Sequence, residues 1–452
     1  MKISLQICLG ILIPLFLAAC SSTSQKPAKA PRNVVLMIGD GMGFAHVKAY
    51  RMYADDLSTD IVEPLSIDPL LVGSVSTDSI RMLCDDPEHK CRRDPGGFTD
   101  SASSATAYAT GRDTLVGQLS VSPSGETMST ILEDAKGHGK STGLIATSSI
   151  THASPAAFGA HVQHRSNASE IANQYFDNQL NGKPIIDVLY GGGLDYLQRT
   201  DRNLIAEFEQ AGYEVALNRT SLLELQGGQQ LGLFAANGMP KAWDRPSTMP
   251  SLAEMTQAGL KAMDKNPQGF FLMVEGSQID WAAHDGSVVG VVSEMEDFIA
   301  AIDKVLEFAR KDGETLVLIV ADHETGGMSL GRDGIYRWNP TPIRGMQATP
   351  IGMVHQFIAG EESLSSIATD KLPFELTDSE IELLDSVSRD EDAALNALTS
   401  IFNSRTFTGW SSSGHTGVDV PLYAFGPGSE HFKGVIQNEV LGRTLWEVFL
   451  PE

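Results

Sequence analysis

The stretch TLVLIVADHE, residues 315–324, decides how the rest of the chain is read. Its continuous apolar body fits a strand buried on both faces, and such strands belong to parallel sheets covered by helices on either side. The run then closes on Asp322 and His323, two titratable residues that need a reason to sit there. Similar runs are NVVLMIGDG at 33–41, STGLIATSS at 141–149, FFLMVEG at 270–276 and VPLYAFGPG at 420–428, and all are expected as buried parallel strands. Helical patterns lie between several of them. SLAEMTQAGLKAM at 251–263 is one; SEMEDFIAAIDKVLEFARKDG at 293–313, which stops on Gly313 after Arg310 and Lys311, is another. This alternation predicts an α/β fold, a doubly wound, mostly parallel sheet with helices on both faces.

The polar residues fall at the strand ends. Asp40 follows the run at 33, Glu275 closes the run at 270, and Asp322 with His323 closes the run at 315. In open α/β sheets ligands bind beyond the carboxyl ends of the strands, so these side chains are expected to meet. Three acids in one place repel one another, and bound cations are the simplest way to neutralise them. Asp280 and His284, spaced i, i+4 in IDWAAHDG, would project from one face of a helix at chelating distance. His415 sits in the Ser/Gly-rich loop GWSSSGHTGVD. Taken singly, an Asp-x-x-x-His pair reads as a surface salt bridge and a histidine in a glycine loop as a turn residue.

Another stretch, FTDSASSATAYATG at 98–111, places an acid directly before a serine and then little but small and hydroxyl side chains. It is poor core and poor amphipathic surface. Ser101 is its candidate nucleophile, which needs activation by a base or a metal held elsewhere in the chain.

Composition bounds the rest. The 452 residues, 42% hydrophobic and 20% charged, have globular composition and length for a large core. A net charge of -24, from 57 acids against 33 Lys plus Arg, argues against a nucleic-acid partner. An anionic substrate would have to be captured by local cations, since bulk charge is screened over about 8 Å.

The N-terminus MKISLQICLGILIPLFLAAC has the pattern of a signal peptide over residues 1–19. Leu17-Ala18-Ala19-Cys20 resembles a bacterial lipobox, which implies lipidation of Cys20, and Ser21 and Ser22 fit sorting to the outer membrane. The expected location is the periplasmic side of the cell envelope. Residues 20–32 then form the lipidated N-terminus and a flexible tether. An uncleaved anchor is the alternative, but the apolar run is short and Pro14 interrupts it. Of the remaining cysteines, Cys84 and Cys91 flank a polar loop and can pair as a disulfide in an oxidising compartment; with His89 they fall short of a structural zinc site.

Taken in order, IGDGMG at 38–43, TDSASSATAYATG at 99–111, THASPAAFGAHVQHR at 151–165, VEGSQIDWAAH at 274–284, ADHETGG at 321–327 and SGHTG at 413–417 resemble the alkaline phosphatase family. The resemblance runs from Asn33 to the strand near Phe425 and implies a phosphate monoesterase with Ser101 as a phosphorylated nucleophile. It further implies one zinc site from Asp280, His284 and His415, a second from Asp40, Asp322 and His323, and a third, usually magnesium, from Asp40, Glu275 and Ser154. Arg165, which alone would read as an ordinary surface arginine, stands at the family's phosphate clamp. Two departures bear on the third site and its surroundings: His152 stands where many bacterial members carry aspartate, and Trp281 where some carry lysine. Imidazole suits zinc better than magnesium, so the third site is expected to be weaker and less magnesium-selective. Asp100, His161 and His164 read as supporting residues.

The catalytic domain is expected over 33–452, with an insertion at about 328–410 that includes TDSE, a capping-box pattern before a helix at 377–386. In the family such insertions cover the site and sometimes meet a second subunit, so a homodimer is among the implied assemblies; a plain surface subdomain is the other reading. Two functional alternatives stand beside the monoesterase. One is a diesterase or sulfatase of the same superfamily, the other a lipoprotein that binds metal or phosphate without chemistry.

Overall fold

The computed structural model describes residues 30–451 apart from 81, 84–91, 94–95 and 361. The expected signal peptide, Cys20, the expected tether up to residue 29, and Cys84 and Cys91 with their expected pairing lie outside the described residues. Among those described, no helix is long and apolar enough to cross a membrane.

A sheet of 10 strands forms the centre. In chain order they are β1 (Asn33–Gly39), β2 (Leu71–Ser76), β3 (Ser141–Ser149), β4 (Val188–Gly192), β5 (Glu214–Ala216), β6 (Gln230–Leu233), β7 (Phe270–Gly276), β8 (Thr315–Val320), β9 (Val420–Phe425) and β10 (Gly434–Gln437). Across the sheet they run β10-β2-β9-β8-β1-β7-β3-β4-β6-β5. Every residue of β1, β7 and β8 is buried, as expected of central strands covered on both faces. Successive side chains of β7 show the two layers: Phe270 packs on Phe308 of the helix Val288–Asp312, while Phe271 meets Phe158 and Phe449 on the opposite side. Phe271 is fully buried, and truncating such a residue to alanine costs about 3–5 kcal/mol.

Local chemistry fixes the helices that frame the site. Ser251 and Glu254 form a capping box at the start of Leu252–Met263. Gly313, at φ 71, ends Val288–Asp312 by donating its N–H to the carbonyl of Ala309. That helix begins ahead of the expected 293.

One expectation is overturned. The run at 420 pairs antiparallel with both β8 and β2, whereas every other pairing in the sheet is parallel. The reason lies in the preceding segment, which brings His415 to the carboxyl end of β8 through a short ladder of Glu324–Thr325 with His415–Thr416. A chain that enters the sheet from that end can only run back through it.

Between 328 and 410, Met328–Leu330 pairs antiparallel with Thr408–Trp410 and closes an excursion of four helices, Pro350–Ala359, Leu364–Lys371, Asp378–Ser386 and Glu391–Thr406. Thr377 and Glu380 make the capping box that TDSE promised. The excursion reaches the site's edge, where Asn403 donates to the carbonyl of Gly286, just past His284, and accepts from the Trp410 indole.

Candidate functional site

The parallel register explains why three acids meet. Ile38 of β1 lies level with Glu275 of β7 and with Val320 of β8, so Asp40 and Asp322 each stand two residues beyond the same level. All three are fully buried. Gly41, at φ +73, lets the chain turn close against the helix that carries Asp280; a Cβ there would come within 2.8 Å of the Asp280 backbone. Its N–H donates to Asp322 Oδ1, as does that of His323.

Asp280 and His284 lie on the short helix Gln278–His284, with His284 Nε2 3.3 Å from Asp280 Oδ1. His415 Nε2 comes to 3.7 Å of the same oxygen. His323 Nε2 is 3.2 Å from Asp322 Oδ2 and 3.6 Å from Asp40 Oδ1. The rings of His323 and His415 stack, centroids 3.5 Å apart.

Among the described residues, ligating atoms converge in three groups, each within 4.8 Å: Asp280, His284 and His415; Asp40, Asp280 and His323; and Asp40, His152 and Glu275. The second differs from the expected set, since Asp280 takes the place of Asp322. Asp322 stands beside it through Oδ2, a buried atom with no hydrogen-bond partner. Asp280 is therefore common to two groups and Asp40 to two.

Each histidine of the first two groups is turned the same way. His284 Nδ1 bonds the carbonyl of Ser413 at 2.6 Å, His415 Nδ1 that of Thr99 at 3.1 Å, and His323 Nδ1 the hydroxyl of Thr325 at 3.2 Å. A proton held on Nδ1 leaves the Nε2 lone pair facing the carboxylates, which is how metal-binding imidazoles are oriented. Thr325 in turn donates to Asp280 Oδ1 at 2.5 Å. Sequence reading missed Thr325, although it lies within the ADHETGG motif, because a hydroxyl two residues past a ligand has no signal of its own.

The charge balance calls for cations. Burial, then Asp322, Asp280 and Glu275, push Asp40 far above the usual carboxylate range, and burial pushes Glu275 up to about 7. Burial resists ionisation of Asp280 too, but His284, His323 and His415 outweigh it and hold the acid down. His284 rises to about 9 beside Asp280, while burial drives His323 down to about 4. Both oxygens of Asp40, Oε1 of Glu275, Oγ of Ser154 and Nδ1 of His152 are buried without hydrogen-bond partners. Buried groups of this kind are normally satisfied, so orphaned oxygens aimed at one cluster fit a bound metal. The carboxylate and imidazole donors of the first two groups suit zinc, and the third group sets two carboxylates and the Ser154 hydroxyl beside His152.

Ser101 opens the helix Ser101–Thr110, which Asp100 caps by accepting from the Ser103 N–H. Its Oγ lies 3.1 Å from His323 Nε2, and the helix N-terminus that carries it favours an anion. Arg165 donates through NH1 to Asp100 Oδ2 at 3.0 Å and through NH2 to His152 Nε2 at 3.1 Å. One N–H on each terminal nitrogen is left for a planar fork onto an oxyanion. Burial disfavours the Asp100 carboxylate, yet Arg165 and the N–H groups of Ser103 and Gly117 hold it below its ordinary value. Burial, helped by Arg165, drives His152 down to about 3, so the imidazole is neutral and can accept. His161 bonds Glu133 and the carbonyl of Ser120, and His164 bonds Ser166; neither belongs to the three groups.

The family model described as "Alkaline phosphatase" matches residues 31–449. Alkaline phosphatase 3 of Bacillus subtilis is 45% identical over 92% of this chain and 88% of its own. Alkaline phosphatase 4 of the same organism is 43% identical over the same shares. A solved structure, the cold-active alkaline phosphatase of a psychrophilic Shewanella species, superposes with a TM-score of 0.82 at 33% identity, covering 93% of this chain and 100% of the other.

Proposed function

Because the chain belongs to the alkaline phosphatase family, whose members hydrolyse phosphate monoesters, we propose that it does so through a phosphoserine on Ser101 with two zinc ions and a third, weaker metal. The observation that carries this reading is the placement of Ser101 Oγ 3.1 Å from His323 Nε2, at the edge of converging carboxylate and imidazole groups.

Asp280, His284 and His415 would hold one zinc, Asp40 and His323 the other with Asp322 alongside, and Asp40, Glu275 and Ser154 the third metal, beside His152, whose Nε2 is taken by Arg165. Zinc supplies an electrophile that stabilises alkoxide on nucleophile and leaving group and lowers the pKa of water towards about 7. Ser101 Oγ forms a bond to phosphorus as the bond from phosphorus to the ester oxygen breaks, and the serine proton ends on the departing alcohol. Water then attacks the phosphoserine, its oxygen bonding phosphorus as the bond to Oγ breaks; one water proton passes to Ser101 Oγ and inorganic phosphate departs. Arg165, held flat by Asp100 and His152, grips the non-transferring oxygens through both displacements. Two in-line steps retain configuration at phosphorus.

A lipid on Cys20 would tether the domain formed by residues 33–452 to the outer membrane, with the active site in the periplasm. Labelling with a radioactive fatty acid, lost on Cys20→Ala, tests that part.

The enzymatic reading is tested by stripping metals with a chelator and assaying an aryl phosphate monoester and diester at alkaline pH before and after zinc and magnesium are returned. Monoester turnover that disappears and returns with zinc is the expected result. Preference for the diester would transfer the protein to the diesterase reading, and no turnover of either ester would leave a binding protein.

A further inference from the structure

Lys241 is the lysine that the site's chemistry leaves unexplained. It is 6% exposed, and its Nζ donates to the carbonyl and to the side-chain oxygen of Gln278, at 3.1 and 3.0 Å. Gln278 opens the helix that carries Asp280 and His284, so an ammonium is buried at the positive end of a helix. Burial lowers the lysine's pKa, and Glu294, Asp285, Asp280 and Asp244 oppose that shift. An apolar side chain of similar length would cost less there, because replacing a buried ion by a packed hydrophobe is often neutral or stabilising.

The same ammonium stands 5.8 Å from the centre of the Trp281 ring. That ring presents an edge-on contact to His152, centroids 5.6 Å apart, and His152 Nε2 takes the hydrogen bond from Arg165. Gly238 lines another side of the ring; a Cβ there would lie 2.7 Å from two of its carbons. Lys241, Trp281, His152 and Arg165 form an unbroken series of contacts from a buried charge to the guanidinium.

We propose that Lys241 is a positioning residue for the phosphate clamp: it fixes Trp281 as the wall against which His152 holds Arg165. The inference rests on the proposed role of Arg165 in phosphate binding.

The test is made on the metal-loaded protein. The dissociation constant of inorganic phosphate is measured by calorimetry, together with KM and kcat for an aryl phosphate and with bound metal. Lys241→Met is expected to raise the phosphate constant and KM together by roughly three- to tenfold with metal content unchanged. Gly238→Ala, which presses mainly on the same ring at 2.7 Å and more lightly on Gln278 Nε2 at 3.3 Å, is expected to shift them in the same direction. In a Trp281→Ala background, Lys241→Met is expected to add nothing, since the relay is already cut.

An unchanged phosphate constant in Lys241→Met overturns the proposal, as does a shift of equal size in the Trp281→Ala background. Weaker binding accompanied by lost metal also overturns it, because the lysine would then act through Asp280 and His284. Should Lys241→Met fail to fold, Gly238→Ala decides, and no shift there counts against the relay. Absence of phosphate binding by the wild-type protein would sink the enzymatic reading and this inference together; normal wild-type binding with unaltered variants sinks this inference alone.

Discussion

Ser101 Oγ and His323 Nε2 stand 3.1 Å apart although 222 positions separate them in the chain. One is the first residue of a helix and the other lies just beyond β8, so the contact joins two elements end to end. His323 Nδ1 is occupied by the Thr325 hydroxyl rather than by a carboxylate. The Nε2 lone pair therefore points at the same place as the oxygens of Asp40 and Asp322, and the serine borders a metal-type cluster.

Replacement of that serine is the most direct check. Ser101→Ala is expected to lower kcat by at least about a thousandfold, as losses of catalytic nucleophiles do, and to abolish radiolabelled phosphoprotein in acid-quenched reactions while metal content stays at the wild-type level. Turnover near the wild-type rate would remove Ser101 from the mechanism.

Arg165→Ala removes the fork held between Asp100 and His152. Hydrogen bonds to charged groups are worth about 1.5–3 kcal/mol, so phosphate inhibition and KM are expected to weaken roughly ten- to a hundredfold. Inhibition curves with inorganic phosphate measure this, and curves that overlay would assign the clamp to another group.

Thr325 ties Asp280 to His323. Groups that orient metal ligands in this way typically contribute 10- to 100-fold in metal affinity, and Thr325→Val is expected to lower zinc affinity by about that factor. Competition against a chelator of known affinity gives the number; equal retention of zinc would reduce the hydroxyl to a packing group.

Metal removal should leave a recognisable pH dependence. In the metal-free fold, burial raises Glu275 to about 7 from an ordinary 4.5, and Asp40 is raised as well. A carboxyl whose folded pKa is raised binds its proton more tightly folded than unfolded. Its stabilisation is therefore complete below pH 4.5 and is lost as pH rises through about 7. His323 and His152, driven below their ordinary 6.5, act in the opposite sense up to that pH. The chelated protein is therefore expected to show a falling Tm above about pH 6.5, where Glu275 still loses its proton and His284, raised to about 9, does too. Zinc-loaded protein is expected to show a flatter one, because the cation takes over from the proton. A chelated Tm that climbs over the same range would contradict the charge balance drawn for the site.

Much of this was legible in the residues. The apolar runs at 33, 141, 270 and 315 are strands, and Asp40, Glu275, Asp322 and His323 fall together because parallel register aligns their ends. Strands β2, β4, β5, β6 and β10 went unread, since they are short or carry exposed positions that blur any apolar run. Burial pattern also could not give the direction of β9: a strand covered on both faces looks the same whichever way it runs.

What the sequence by itself determined is the layered α/β plan, the caps that start and stop its helices, and the inventory of acids, histidines and the serine at strand and helix ends. Periodicity and capping are local, set within a turn or a few residues, and so survive in the linear order. Only the tertiary structure decided that Asp280 serves two groups of ligands, that Thr325 and two backbone carbonyls turn the imidazoles, and that Lys241 lies behind Trp281. Those relations depend on distances of a few ångströms between residues far apart in the chain, which no local pattern encodes and only close packing of the whole sheet and its helices can set.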